Sequence, residues 1–145
     1  MPVITNIEDL RVLAEKRVPR MFYDYADSGS WTEGTYRANS EDFQKIKLRQ
    51  RVAVNMENRS LATKMVGIDV KMPVAIAPVG LTGMQSADGE IKAARAAEKF
   101  GIPFILSTMS ICSMEDVAAA TTAPFMYQLY MMRDREAMSL SLIHI

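Results

Sequence analysis

Three short apolar runs, each opened by a proline, constrain this chain more than any other feature. They are "PVAIAP" from Pro73, "PFILST" from Pro103 and "PFMYQLY" from Pro124. Continuous apolar runs of this length suit strands buried on both faces, as in a parallel sheet. Helical stretches separate them. In "DGEIKAARAAEKFG", Asp88 reads as the cap and Gly101 as the stop, while Ala93, Ala94, Ala96 and Ala97 allow close packing on a sheet. "SMEDVAAA" carries a capping-box pattern in Ser113 and Asp116, and "RDREAM" opens a third helix. The strands recur roughly every 20 to 30 residues, as βα units of a parallel sheet do. Such sheets present their working residues at the C-terminal strand ends. Pro78, Ser107 with Thr108, and Gln128 with Tyr130 fall there. Gln128 and Tyr130 flank Leu129, so strand alternation points both to one face. The spacing fits a doubly wound sheet and a barrel equally. "APVGLTGM" lacks the G-x-G-x-x-G spacing and no P-loop is present, which favours a barrel.

Ahead of this alternation the rhythm is helical. Ile7, Leu10, Leu13 and Ala14 share one helical face behind the caps Thr5 and Asn6. Pro19 opens a second helix through "RMFYDYADSG", with Gly29 as its stop, and a third is expected from Thr32 to Phe43. Residues 46–71, with "KMVGIDVKM", suggest a small hairpin.

Composition removes several function classes. The 145 residues are 49% hydrophobic and 23% charged, ordinary for a folded domain. Seventeen basic residues balance seventeen acidic ones, so the basic surface needed for nucleic acid is missing. The single cysteine, Cys112, allows no internal disulfide and fits a reducing compartment. With one histidine, His144, no His/Cys cluster exists to hold a metal. No secretory signal or membrane-spanning run is apparent, so a cytoplasmic location is expected.

The phrases "YDYADSG", "MPVAIAPVGLTGM", "GEIKAARAAEKFGIPFILSTMSICSMEDVA" and "QLYMMRDR", in that order, resemble the N-terminal third of the FMN-dependent α-hydroxy-acid dehydrogenase and oxidase family. "LRQRV" and "APVGLTGM" look closest to its bacterial respiratory-type L-lactate dehydrogenase branch. The resemblance covers about residues 5 to 138. It implies the N-terminal part of a (β/α)8 TIM barrel preceded by a helical segment: a lead-in over 1–71, the first three βα units over 72–138, and an unmatched tail over 139–145. It also implies FMN as cofactor and oxidation of a small L-2-hydroxy acid, L-lactate above all, to the 2-keto acid. The electron acceptor would be a respiratory carrier, with peripheral attachment to the inner membrane face, or oxygen, with a soluble enzyme. The full-length parent would be a homo-oligomer. Carried over by position, Tyr25 matches a tyrosine that holds the substrate carboxylate. Tyr130 matches the tyrosine facing the substrate and its reacting hydroxyl, the one catalytic candidate here. The backbone of Ala77, Pro78 and Val79, with Ser107 and Gln128, matches flavin-contacting positions.

Each of these residues also has a plain structural reading. Tyr25 can be a packing aromatic, Ser107 a strand-end hydroxyl, and Gln128 a buried amide satisfied by its neighbours. Asp24 reads as a solvated or capping carboxylate, Cys112 as packing, and the twelve methionines as core filling. The family's histidine and companion arginine, in an S-N-H-G-G-R type motif, do not occur in this sequence. Nor do the later flavin-contacting lysine and threonine, or the Gly-rich phosphate segment. His144 lies in the tail, far from every site motif. A whole barrel needs about 250 residues. The chain is therefore expected to be a truncated copy with a non-native tail, inactive alone and without a sharp melt, because a lone piece of parallel sheet leaves an edge and apolar faces uncovered. The rival readings are a non-catalytic barrel fragment or partner-binding piece, and a different barrel enzyme for a phosphorylated ligand.

Overall fold

In the computed structural model the described residues are 3–143, and they divide into two units, up to Ser60 and from Leu61 onward. His144 lies outside the described residues.

The N-terminal unit is helical. Helix α1 (Ile7–Arg17) starts at Asn6 with a full capping box: Asn6 accepts from the Asp9 amide, and the Asp9 carboxylate accepts from the Asn6 amide. Helix α2 (Arg20–Asp27) follows Pro19. Arg11 joins the two helices by donating to Tyr23 Oη at 3.1 Å and to Asp27 Oδ2 at 3.0 Å. The expected stop at Gly29 is not what ends α2. The helix leaves through Ser28 in extended conformation, and Gly29 is needed for space, since a Cβ there would lie 2.7 Å from Tyr36 Cβ. Helix α3 (Gly34–Lys45) begins two residues later than expected, because Glu33 is left-handed, with φ 58°.

The second unit opens with the anticipated hairpin, β1 (Thr63–Met65) against β2 (Ile68–Val70), antiparallel with Met65 opposite Ile68. Its turn residues, Val66 at φ 49° and Gly67 at φ 81°, are both left-handed, as a type I′ turn requires. Gly67 adopts this freely. Val66, β-branched and exposed, does so under strain.

The βα alternation follows. The helices are α4 (Thr82–Gln85), α5 (Gly89–Phe100), α6 (Met114–Ala120) and α7 (Arg135–Ile143), with β3 (Ile105–Ser107) and β4 (Met126–Gln128) between them. β3 pairs with β4 in parallel, Ser107 opposite Gln128. On its other side β3 meets the "PVAIAP" run in parallel, but only through the bridge Ile76–Phe104. The prolines explain why this run falls short of the strand its sequence suggests. Ile76 N donates to Pro103 O at 2.9 Å, and Ile105 N donates to Ile76 O at 3.2 Å. The next ladder bonds in either direction would need N–H groups from Pro103 and Pro78, which have none. The run is also not buried on both faces as expected, for Val74, Ala77 and Val79 are exposed. Burial concentrates where β3 meets its helices: Phe104, Leu106, Ala94, Ala97 and Val117 form the core, with Phe125 tilted against Phe104 at 6.3 Å between ring centroids. A side chain such as Leu106, fully buried, contributes about 2–3 kcal/mol.

The architecture is mixed α/β with helices and parallel strand segments in alternation, and among the described residues no closed barrel forms. Gly101 ends α5 as expected, at φ 84°, with Ile102 N on Ala97 O and Gly101 N on Glu98 O, a Schellman closure. Asp88 precedes α5 but makes no side-chain cap, being left-handed itself. Ser113 caps α6 through the Asp116 amide at 3.0 Å. The Glu98 carboxylate accepts from Thr121 Oγ1 at 2.7 Å and from the Thr122 amide at 3.1 Å, which ties α5 to the chain entering β4. α7 continues from "RDREAM" through Ser139 to Ile143.

Two substitutions test these backbone assignments through amide exchange. Gly101→Ala places a Cβ on a left-handed residue and is expected to cost about 1–2 kcal/mol, exposing the Gly101 and Ile102 amides roughly tenfold faster. Val66→Asn relieves the turn and is expected to protect the hairpin amides by about 1 kcal/mol.

Candidate functional site

The C-terminal ends of the parallel segments come together as the topology requires. Ser107 is 3% exposed, and its hydroxyl accepts from the Met109 amide at 3.1 Å and donates to Gln128 Oε1 at 3.3 Å. That hydroxyl has one proton, and giving it to Gln128 turns the amide carbonyl toward Ser107. Gln128 Nε2 then forms no hydrogen bond among the described residues. Thr108 Oγ1 donates to the Gln128 carbonyl and accepts from the Tyr130 amide at 3.0 Å. Thr108 thus fixes the turn out of β4, a role the sequence reading placed at the strand end without assigning. β4 stops at Gln128, so Tyr130 lies beyond the strand and is not positioned by strand alternation; its side chain is 44% exposed.

The "IAPVG" segment supplies the facing edge. The N–H groups of Ala77 and Val79 donate to nothing among the described residues, and Pro78 between them has no N–H. Ala77, Val79 and Ser107 line one cavity of about 190 Å³, mostly apolar, with Ile76, Phe104 and Glu90. The mouth therefore offers donors: two backbone N–H groups and one amide nitrogen. A planar ring edged with carbonyl oxygens fits this set. Tyr25 is elsewhere in the chain, on α2 of the N-terminal unit, and is 70% exposed. Asp24 beside it pairs with Arg20 at 3.3 Å on the surface, in keeping with its solvated reading.

The residue sequence reasoning missed is Glu90. It is 2% exposed, and its Oε1 accepts from the Ile111 amide at 3.0 Å and the Gly83 amide at 3.3 Å, while Oε2 has no partner. Burial works to raise its carboxyl pKa. The Ile111 amide, its own amide, the Cys112 thiol and the Gly83 amide outweigh burial and hold it below the ordinary carboxylate range. Burial first, then Glu90, pushes the Cys112 thiol up, so that thiol is not an activated nucleophile. The signal in the sequence was a carboxylate in the first turn of an alanine-lined helix, where a solvated charge is the usual reading. Among the described residues no group of His, Cys, Asp and Glu can hold a metal, and no helix is long and apolar enough to cross a membrane.

Comparison with known proteins decides the family. The FMN-dependent dehydrogenase profile matches residues 14–144, nearly the whole chain. The chain belongs to the FMN-dependent dehydrogenase family. It is 48% identical over 133 residues to an L-lactate dehydrogenase of Stenotrophomonas maltophilia (strain K279a), which covers 92% of this chain and 35% of that protein. The chain thus spans about a third of the length of the curated relatives it matches. Among solved structures, a soluble mutant of the membrane-associated (S)-mandelate dehydrogenase from Pseudomonas putida superposes with a TM-score of 0.89 at 39% identity, over 98% of this chain and 41% of that one. A lactate oxidase from Pediococcus acidilactici gives 0.90 at 31% identity, over 99% and 40%. Family membership implies FMN as the cofactor, and the donor set at the strand ends fits it.

A folded-state pKa below the unfolded one means that the native chain binds fewer protons, so stability rises with pH. Glu90 should therefore stabilise the fold above the ordinary value of 4.5, and this stability should be lost as pH falls through its depressed folded value. Glu90→Gln is expected to flatten that part of the acid unfolding curve, followed by circular dichroism from pH 6 to pH 2.

Proposed function

We propose that this chain forms the N-terminal part of a (β/α)8 barrel that oxidises a small L-2-hydroxy acid, with L-lactate as the substrate, to the 2-keto acid. In this reading residues 1–71 are the lead-in, 72–138 the first three βα units, and 139–145 stand apart from the barrel, although the family match runs to residue 144. The observation that carries it is the set of donors at the mouth: the N–H groups of Ala77 and Val79 and the Gln128 amide, beside the buried Ser107. FMN bound there would accept the substrate's two electrons. Ala77, Pro78 and Val79 would lie along the ring, the two N–H groups donating to its acceptors. Ser107 keeps the Gln128 amide turned so that Nε2 donates as well. Tyr130, exposed beyond the end of β4, would meet the substrate hydroxyl, and Tyr25 the carboxylate. A tyrosine suits both tasks, because it carries one donor on a stiff ring. The substrate choice follows the L-lactate dehydrogenases at 48% identity, and either a respiratory carrier or oxygen would serve as acceptor. A full-length homo-oligomer, with peripheral membrane attachment where the acceptor is a respiratory carrier, completes the proposal.

The histidine that by resemblance to the family would take the hydroxyl proton has no counterpart in any site motif of this chain. The test is accordingly one of binding. FMN added to the chain is expected to lose fluorescence, and L-lactate but not D-lactate should then perturb the visible flavin band. Gln128→Leu leaves an acceptor of the ring unpaired, and is expected to weaken FMN by about tenfold. Tyr130→Phe should leave FMN binding intact and abolish the L-lactate response. FMN fluorescence unaffected by the chain would end this reading.

A further inference from the structure

The loops after the first strand segment and after β3 are joined by more than the sheet. Leu81 N donates to Met109 O at 2.8 Å. Gly83 N, in α4, and Ile111 N, in the loop after β3, converge on the same oxygen, Glu90 Oε1. Glycine makes the approach possible: a Cβ on Gly83 would lie 2.7 Å from Ile111 Cβ, and one on Gly89, next to Glu90, 2.7 Å from Thr82 Cγ2. A side chain that merely capped its own helix would bond α5 alone. This one, besides its own amide, bonds α4, which follows Val79, and the loop that follows Thr108. It does so although burying a carboxylate with an unpartnered oxygen is costly. We infer that Glu90 is a positioning residue for the mouth, a clamp whose carboxylate fixes the separation of the two loops and with it the gap between Ala77–Val79 and Ser107. The flavin part of this inference rests on the function proposed above; the clamp itself does not.

Two readouts on the full chain separate the two: amide exchange at Gly83 and Ile111, and FMN affinity by fluorescence quenching. Glu90→Ala is expected to accelerate exchange at both amides, and to weaken FMN, each by about tenfold or more, while the Ala94 and Ala97 amides keep their protection. Glu90→Gln retains an acceptor oxygen and should hold both readouts within about threefold of wild type. Gly83→Ala keeps the carboxylate but forces the loops apart, and should reproduce the loss of FMN. Unchanged exchange at Gly83 and Ile111 in Glu90→Ala would overturn the clamp, whether or not FMN binds. Freed amides with FMN affinity unchanged would overturn its role in setting the gap. Wild-type chain that fails to bind FMN would instead remove the proposed function, and exchange alone would then decide the clamp.

Discussion

The βα alternation of the second unit depends on β3 accepting partners on both sides. Its side chains alternate. Phe104 and Leu106 enter the core with Ala94, Ala97 and Val117, and Ser107 at the strand's end meets Gln128 across the register. The same ladder that buries the core thus delivers a hydroxyl to the mouth. A shift of one residue in pairing would exchange the two faces, placing Ser107 among apolar side chains and Leu106 at the mouth. Core packing and site geometry are therefore fixed by one register.

The prolines decide where that ladder stops. Pro103 and Pro78 each withhold a donor on either side of Ile76, so the first segment touches β3 through a short stretch and leaves the sheet at Ala77. Past that point the N–H groups of Ala77 and Val79 have no ladder to join. Ile76 turns both its N–H and its C=O to β3, so the N–H of Ala77 faces the opposite edge, where among the described residues no strand pairs with it. The loops that follow need another source of order, and it comes from the Leu81–Met109 bond and the Glu90 carboxylate.

Much of this was legible from residue order. Apolar runs, spacing and caps located the alternation, the hairpin, the Schellman end at Gly101 and the juxtaposition of Ser107 with Gln128. These features are local, or follow from a parallel register. What was not legible depends on contacts distant in sequence or on backbone conformations that composition does not specify. Asp88 looked like a cap, but its left-handed backbone takes it out of that role. Gly29 looked like a helix stop, but it is required by Tyr36 seven residues on. Glu90 drew no reading at all, because its two donors lie 7 and 21 residues away and neither has a side-chain signature. Strand alternation was also extended too far, since β4 ends before Tyr130.

The chemistry of the mouth follows from how few hydrogens its polar groups have to share. Ser107 accepts from the Met109 amide and donates its single proton to Gln128 Oε1, so the Gln128 carbonyl faces Ser107. Thr108 is in the same position, with the Tyr130 amide arriving and the Gln128 carbonyl receiving. Both hydroxyl protons are used inside the protein, and the N–H groups of Ala77 and Val79 and the Gln128 amide nitrogen remain as donors for a ligand, beside the unpartnered Glu90 Oε2. A ligand edged with donors would leave N–H facing N–H, whereas one edged with acceptors satisfies each group in turn. Two hydroxyls, neither of which need touch the ligand, thereby orient the Gln128 end of the mouth.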